Sequence, residues 1–135
     1  FAQAGAYEDT GNLTIYAGTS AEEISDLADL TVAEMKRAAD DMTEAEVARA
    51  RAQLKAGMLM GLESPSSRAE RLARLLSIWG RVPDVAEAVA KIDAVSVADV
   101  RRFAAGLSRA QAAMALYGPA DAAPRLDALR GALVA

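Results

Sequence analysis

The longest helical periodicity in the chain lies between Thr43 and Arg81. There Val47, Ala50, Leu54, Met58 and Leu62 recur at steps of three or four and fall on one stripe of a helix. Glu44, Arg49, Arg51 and Lys55 lie largely off that stripe, so the apolar side is expected to face a core. Thr43 followed by Glu46 forms a capping box that starts this helix, because hydroxyl and carboxylate satisfy backbone donors left free by the first turn. Ser64-Pro65 interrupts the run, since proline disfavours helical backbone in the residue before it. Either Pro65 or a Ser67-to-Glu70 capping box then opens a new helix. A second stripe, Leu72, Ala73, Leu76 and Trp79, ends at Gly80, where glycine suits a left-handed stop. With both stripes buried, Leu54→Ala or Leu72→Ala is expected to cost about 2 to 5 kcal/mol, and Arg51→Ala little.

Upstream, Phe1 to Tyr7 is small and apolar, Glu8 to Gly11 has turn chemistry, and Asn12 to Gly18 alternates. The pattern predicts a β-hairpin with Leu13, Ile15 and Ala17 on a face covered by helices. Ser20 with Glu23 predicts a capping box, and Ile24, Leu27, Ala28, Thr31 and Met35 trace a helix face ending near Asp40. Downstream, Pro83-Asp84 starts a short helix with Val85, Ala88, Val89 and Ile92 inward. Ser96 caps another with Val97, Val100, Phe103, Ala104 and Leu107 inward. Ala112 to Tyr117 reads as a third strand stopped by Gly118-Pro119, and Pro124 to Leu133 as a terminal helix with Leu126, Leu129 and Leu133 inward. The expected fold is α+β: a helix-rich, two-layer half-domain whose three-stranded partial antiparallel or mixed sheet packs under about five to six helices. Residues 1–135 are expected to form a single domain, without internal repeat or long linker.

Composition sharpens this picture. A chain of 135 residues can bury roughly two thirds of the surface its unfolded form exposes. Hydrophobic residues make up 53% but aromatic residues only 4%, so the core is expected from Ala, Leu, Val and Met on close helices. The chain has no cysteine, which removes disulfides and thiolate metal sites and is compatible with a reducing compartment. No apolar run approaches the ~20 residues of a membrane-spanning helix, and no signal peptide is evident. The sequence enters on strand-like residues at Phe1 without methionine, so a preceding segment is expected. A bacterial cytoplasmic location is expected, or a periplasmic one if that segment carried a signal.

Candidate chemistry is sparse. The chain has no histidine, so zinc catalysis of the usual three-ligand kind and histidine acid/base work have no home in it. Glu22, Glu23, Asp26 and Asp29, and again Asp40-Asp41, cluster as hard-cation ligands do, but solvated helix faces and capping account for them better. Asp9 to Asn12 has only a fragment of a calcium loop's composition and reads as a hairpin turn. Arg68, Arg71 and Arg74 stand three apart, with Arg101-Arg102 farther on. A net charge of −4, a pI near 4.8 and few interleaved aromatics argue against a nucleic-acid surface. Exposed arginines pairing with Glu63 and Glu70 are expected instead. Ser66-Ser67 lacks any base except Lys36, Lys55 or Lys91, and reads as capping. Met58 and Trp79 read as core, with Met60 off the stripe. No catalytic, cofactor-binding or metal-binding residue is assigned.

Alternating Glu and Arg/Lys before "QLK", then "LESPSSRAERLARLLSIWGR" and "KIDAVSVADVRRFA", resemble the C-terminal half-domain of the insulinase/pitrilysin zinc metallopeptidases, of the bacterial and mitochondrial-processing-peptidase-like kind. "YEDTGNLTIYAGTSAEEI" upstream and "LYGPAD" downstream fall in the same order, so the resemblance covers roughly residues 1 to 120. It implies a fragment of a longer peptidase whose first half carries an inverted H-x-x-E-H zinc motif, with a metal-bound water as attacking group. It also implies an Arg/Tyr pair in a segment resembling R-x-x-x-G-L-x-Y, which would lie upstream of Phe1. Zinc is thus implied for the parent enzyme and not for these residues, which should be inactive alone. They are expected to form the wall of the peptide chamber and the interface to the catalytic half, with peptide or unfolded protein as substrate. Within "SSR", Ser67 and Arg68 are implied in orienting the central helices or contacting the partner domain. No nucleic-acid or membrane partner is implied, and an exposed sheet edge is expected to favour homo-oligomers. Two alternatives stand: a catalytically silent family member acting as partner subunit, and an unrelated α+β interaction scaffold.

Overall fold

The computed structural model describes residues 1–7, 9–119 and 121–134, so the Glu8 end of the expected turn lies outside the described residues. Its elements are β1 (Ala2–Ala6), β2 (Gly11–Ile15), α1 (Ile24–Asp40), α2 (Glu44–Gly61), α3 (Pro65–Trp79), α4 (Val85–Asp93), α5 (Val97–Leu107) and α6 (Leu126–Val134). This is a helix-rich α+β chain. It divides into two compact units, residues 1–42 with 100–135, and residues 43–99.

In the first unit β1 and β2 form an antiparallel hairpin in the register Ala2↔Ile15, Ala4↔Leu13 and Ala6↔Gly11. The period-two alternation therefore holds, with Leu13 and Ile15 sharing one face with Ala2 and Ala4. Gly5 is opposite Asn12, and a Cβ there would meet the Asn12 amide oxygen at 2.3 Å, so the bare glycine makes room for it. Phe1 and Tyr16 stack with ring centroids 5.2 Å apart at the open end. The expected burial of the Leu13 face does not follow: Leu13 is 37% and Ile15 43% exposed. The third strand is not formed either, and the described sheet has two strands. Residues 112–117 run without ladder hydrogen bonds, because a strand needs a partner edge and none of the described residues supplies one.

Helix α1 runs to Asp40 as its pattern predicts, but it starts without the Ser20–Glu23 box. Glu23 is the N-cap and makes no capping hydrogen bond. The intended partners are engaged elsewhere: Thr19 Oγ1 donates to Glu23 Oε2 at 2.8 Å, and the Ser20 hydroxyl interacts with Glu22. Ile24, Leu27, Ala28, Thr31 and Met35 are all half-buried, and α1 packs on α6 through the half-buried Leu126, Leu129 and Leu133. Arg101 on α5 ties that helix to the end of α1, its Nε and Nη2 donating to the Met42 carbonyl at 3.2 and 2.8 Å. Phe103, expected inward, is 65% exposed.

In the second unit the capping signals act as the sequence predicts. Thr43 N donates to Glu46 Oε2 at 2.9 Å and Glu46 N to Thr43 Oγ1 at 3.3 Å, closing the box that begins α2. Of the two starts open to α3, the proline start is realised: Pro65 sits in the first turn and Ser64 Oγ accepts from Ser67 N at 3.4 Å. Gly80 ends the helix at φ +63, its N–H reaching the Leu76 carbonyl at 2.9 Å; a side chain there would pay the steric penalty of left-handed backbone. Asp84 caps α4 through the Ala86 N–H, and Ser96 with Asp99 forms a reciprocal box before α5.

The buried faces of α2 and α3 differ from expectation. Val47, 3% exposed, is the one buried hydrophobic side chain among the described residues. From it the packed side of α2 continues through Arg51, Lys55, Met58 and Leu62, while Ala50 and Leu54 turn outward, Leu54 being 62% exposed. The reason is the neighbour: α4 and the turn after it offer a carboxylate and a carbonyl, which draw in the charged tips while their aliphatic stems cover apolar surface. On α3, Leu72, Leu76 and Trp79 are 39%, 56% and 66% exposed rather than core.

Candidate functional site

A groove of about 520 Å³ lies within the first unit. Ile15 at the end of β2, Leu27 and Thr31 of α1, residues 112–117, and Leu126 and Leu129 of α6 line it. Its walls are mainly apolar because the half-buried stripes of α1 and α6 both open onto it. Thr31 is one of its few hydroxyls, and it already donates to the Leu27 carbonyl at 2.8 Å. The groove is built to take apolar side chains, and no nucleophile with an adjacent base is presented in it.

The second unit holds two polar locks. Arg51 Nε donates to the Val95 carbonyl at 2.8 Å, Nη2 reaches the same oxygen, and Nη1 pairs with Glu44 Oε1 at 3.0 Å. Lys55 Nζ meets Asp93 Oδ1 at 2.5 Å. Together they fasten α2 to the C-terminal end of α4. Sequence periodicity misses these roles because Arg51 and Lys55 count as solvent-facing until the acceptors on α4 are known.

The other lock surrounds Glu87. Arg81 Nη1 and Nη2 donate to its two carboxylate oxygens at 2.9 Å each, and Lys91 Nζ lies 2.9 Å from Oε1. Hydrogen bonds from Arg81, then Lys91, hold the Glu87 carboxyl down at about 2 from its ordinary 4.5, and the same pairing raises Arg81. A depressed carboxylate stabilises the fold above its unfolded value and loses that contribution as the pH falls through the folded one. Thermal melts should therefore separate Glu87→Gln from wild type most clearly above pH 4.5, the gap closing towards pH 2. A gap that widens in acid would contradict this pairing. The effect is small, because these side chains are solvated.

The remaining sequence candidates do not assemble into chemistry. Among the described residues no three of Asp or Glu converge to hold a metal ion, the groups at 22–29 and 40–41 included. Ser64, not Ser66 or Ser67, caps α3. The three lysines weighed as its base are engaged elsewhere: Lys36 with the Ala132 carbonyl at 3.4 Å, Lys55 with Asp93 and Lys91 with Glu87. The expected pairing of Arg68, Arg71 and Arg74 with Glu63 and Glu70 is not formed, and none of the three has an ion pair or hydrogen bond with the described residues. Met58 is half-buried as expected of a packing residue, whereas Met60 is 68% exposed. No helix among the described residues is long and apolar enough to cross a membrane.

Fold and site thus define a helix-rich α+β chain with a mainly apolar groove, in a sequence without histidine or cysteine. Residues 1–54 match the family model described as the peptidase M16 inactive domain. Over 94% of its length the chain is 34% identical to the mitochondrial-processing peptidase subunit beta of Blastocladiella emersonii, covering 28% of that protein. Over 88% it is 31% identical to the uncharacterized zinc protease YmxG of Bacillus subtilis, covering 29% of it. Among solved structures, a chain from complex III2 of Candida albicans with Inz-5 bound superposes with a TM-score of 0.72 at 28% identity, over 78% of this chain and 25% of that one. The chain belongs to the insulinase/pitrilysin family of zinc metallopeptidases and represents the family's C-terminal, inactive-type part. It spans less than a third of the length of these relatives.

Proposed function

We propose that these residues are the non-zinc-binding part of a zinc metalloendopeptidase. In this reading they support the wall of the chamber that receives peptide or unfolded protein, and they pack against the catalytic half of the parent protein. One conjunction carries the reading: the chain matches the inactive domain of a family with relatives named zinc proteases, and it contains neither histidine nor cysteine. The residues present do not fit zinc, whose usual protein sites rest on imidazole or thiolate, so the metal is assigned to the other half and no step of hydrolysis is routed through this one. The apolar groove and the exposed hairpin support a role in packing rather than in bond cleavage.

The test has two arms. Alone, the protein should retain no stoichiometric zinc after dialysis and should not cleave an unstructured peptide. Supplied together with an H-x-x-E-H half from the same family, it should restore metal-dependent cleavage of that peptide. Stoichiometric zinc or cleavage in the first arm, or no gain in the second, would overturn the assignment.

A further inference from the structure

The groove of the first unit is assembled from two separate stretches of chain. Ile15, Leu27 and Thr31 come from residues 1–42, and residues 112–117 with Leu126 and Leu129 come from residues 100–135. Apolar packing joins these stretches only loosely. Neither α1 nor α6 contributes a buried side chain, and Val47, the one buried hydrophobic side chain among the described residues, belongs to the other unit. Half-buried stripes gain less from leaving water than buried ones, and a unit held by them lies at the low end of local stability. Polar ties between the stretches therefore count for more here. Lys36 supplies one, its Nζ lying 3.4 Å from the Ala132 carbonyl in a long, exposed contact. Arg101 supplies another: its Nε and Nη2 both donate to the Met42 carbonyl, at 3.2 and 2.8 Å, and both residues are half-buried.

Position gives the arginine its weight. Met42 stands between Asp41, which closes α1, and Thr43, which caps α2, so its carbonyl projects from a joint between helices. Arg101 lies in the second turn of α5, at the start of the stretch that returns to the first unit. We infer that Arg101 is a clasp that keeps the groove assembled: when its guanidinium leaves the Met42 carbonyl, α1 and α6 part and the first unit opens while residues 43–99 stay folded. Fixing the start of the returning stretch beside the end of α1 raises the effective concentration of α6 at its seat on α1. Arg101 acts by position, since it lies outside the lining of the groove. Its planar fork is charged at every working pH, so the clasp has no titration step of its own. The groove, which takes apolar side chains, thereby becomes accessible through a local opening and not only through unfolding of the whole chain.

Amide hydrogen exchange of the whole chain, followed by mass spectrometry, reads each helix separately. In the wild type the amides of α1 and α6 should exchange faster than those of α2 and α4. Arg101→Ala should speed α1 and α6 by a further factor of about ten or more, the low end of what a hydrogen bond to a charged donor contributes, and leave α2 and α4 within about twofold. Arg101→Lys keeps one donor group and should fall between. Lys36→Ala, which removes only the exposed tie, should stay within about threefold of wild type. If Arg101→Ala does not fold, Arg101→Lys must show the same split between the helices. Equal acceleration in all four helices, unchanged exchange in α1 and α6, or an effect of Lys36→Ala as large as that of Arg101→Ala would overturn the clasp.

Discussion

Val47→Asp is expected to unfold much of the second unit, costing about 3 to 5 kcal/mol. Val47 is 3% exposed in the first turn of α2, and the cation one turn on along that side, Arg51, is already committed to the Val95 carbonyl and to Glu44. The charge must therefore be buried unpaired, or α2 must leave its seat. Leu54→Asp on the same helix should change stability by no more than about 0.5 kcal/mol, since Leu54 is 62% exposed. Urea denaturation of both variants measures the contrast. Equal midpoints would show that Val47 is not the centre of this packing.

Arg51→Ala should be the next most damaging change, at about 1.5 to 3 kcal/mol, the range for hydrogen bonds to a charged donor. Its side chain is 21% exposed, and it is the donor that reaches the Val95 carbonyl from α2. Truncation leaves that carbonyl without its partner and removes the stem that covers the α2–α4 seam. Most of the loss should come from the Val95 contact. Glu44, at 65% exposed, contributes little, so Glu44→Gln should be near neutral while Arg51→Ala is not. Similar urea midpoints for the two variants would place the energy in the surface ion pair instead.

These two expectations reverse what periodicity alone implies for Leu54 and Arg51, and the reason is physical. The starts at Thr43, Asp84 and Ser96 and the stop at Gly80 are legible in sequence because each is a contact between groups within about four residues. The half-buried stripes of α1, α4 and α6 are legible because their apolar positions repeat without competition. Which side of α2 turns inward depends on Val95 and Asp93, dozens of residues away, and a pattern that scores Arg51 and Lys55 as polar has no access to those acceptors. Ala112 to Tyr117 has the composition of a strand, but a strand is a relation between two segments, and alternation in one of them does not supply the other. The Ser20–Glu23 signal fails for a local reason: Thr19 and Glu22, each a neighbour of one member of the box, compete for its groups. The absence of histidine and cysteine is a fact of residue types and not of geometry, and it carries the expectation that zinc is held elsewhere.

The division of the chain also implies an expected order in time. Residues 43–99 are contiguous, their caps are local and even their longest locks, Arg51 to Val95 and Lys55 to Asp93, close within that one segment, so this unit can condense while the remainder is still unfolded. The other unit is split, and residues 1–42 find 100–135 only by closing a loop that contains the entire second unit. The entropy of closing a chain rises with the length of flexible segment that must be gathered. A prefolded insert would shorten the effective loop to the span between its own ends, so the helices around Val47 are expected to act as a splint for the meeting of α1 with α6.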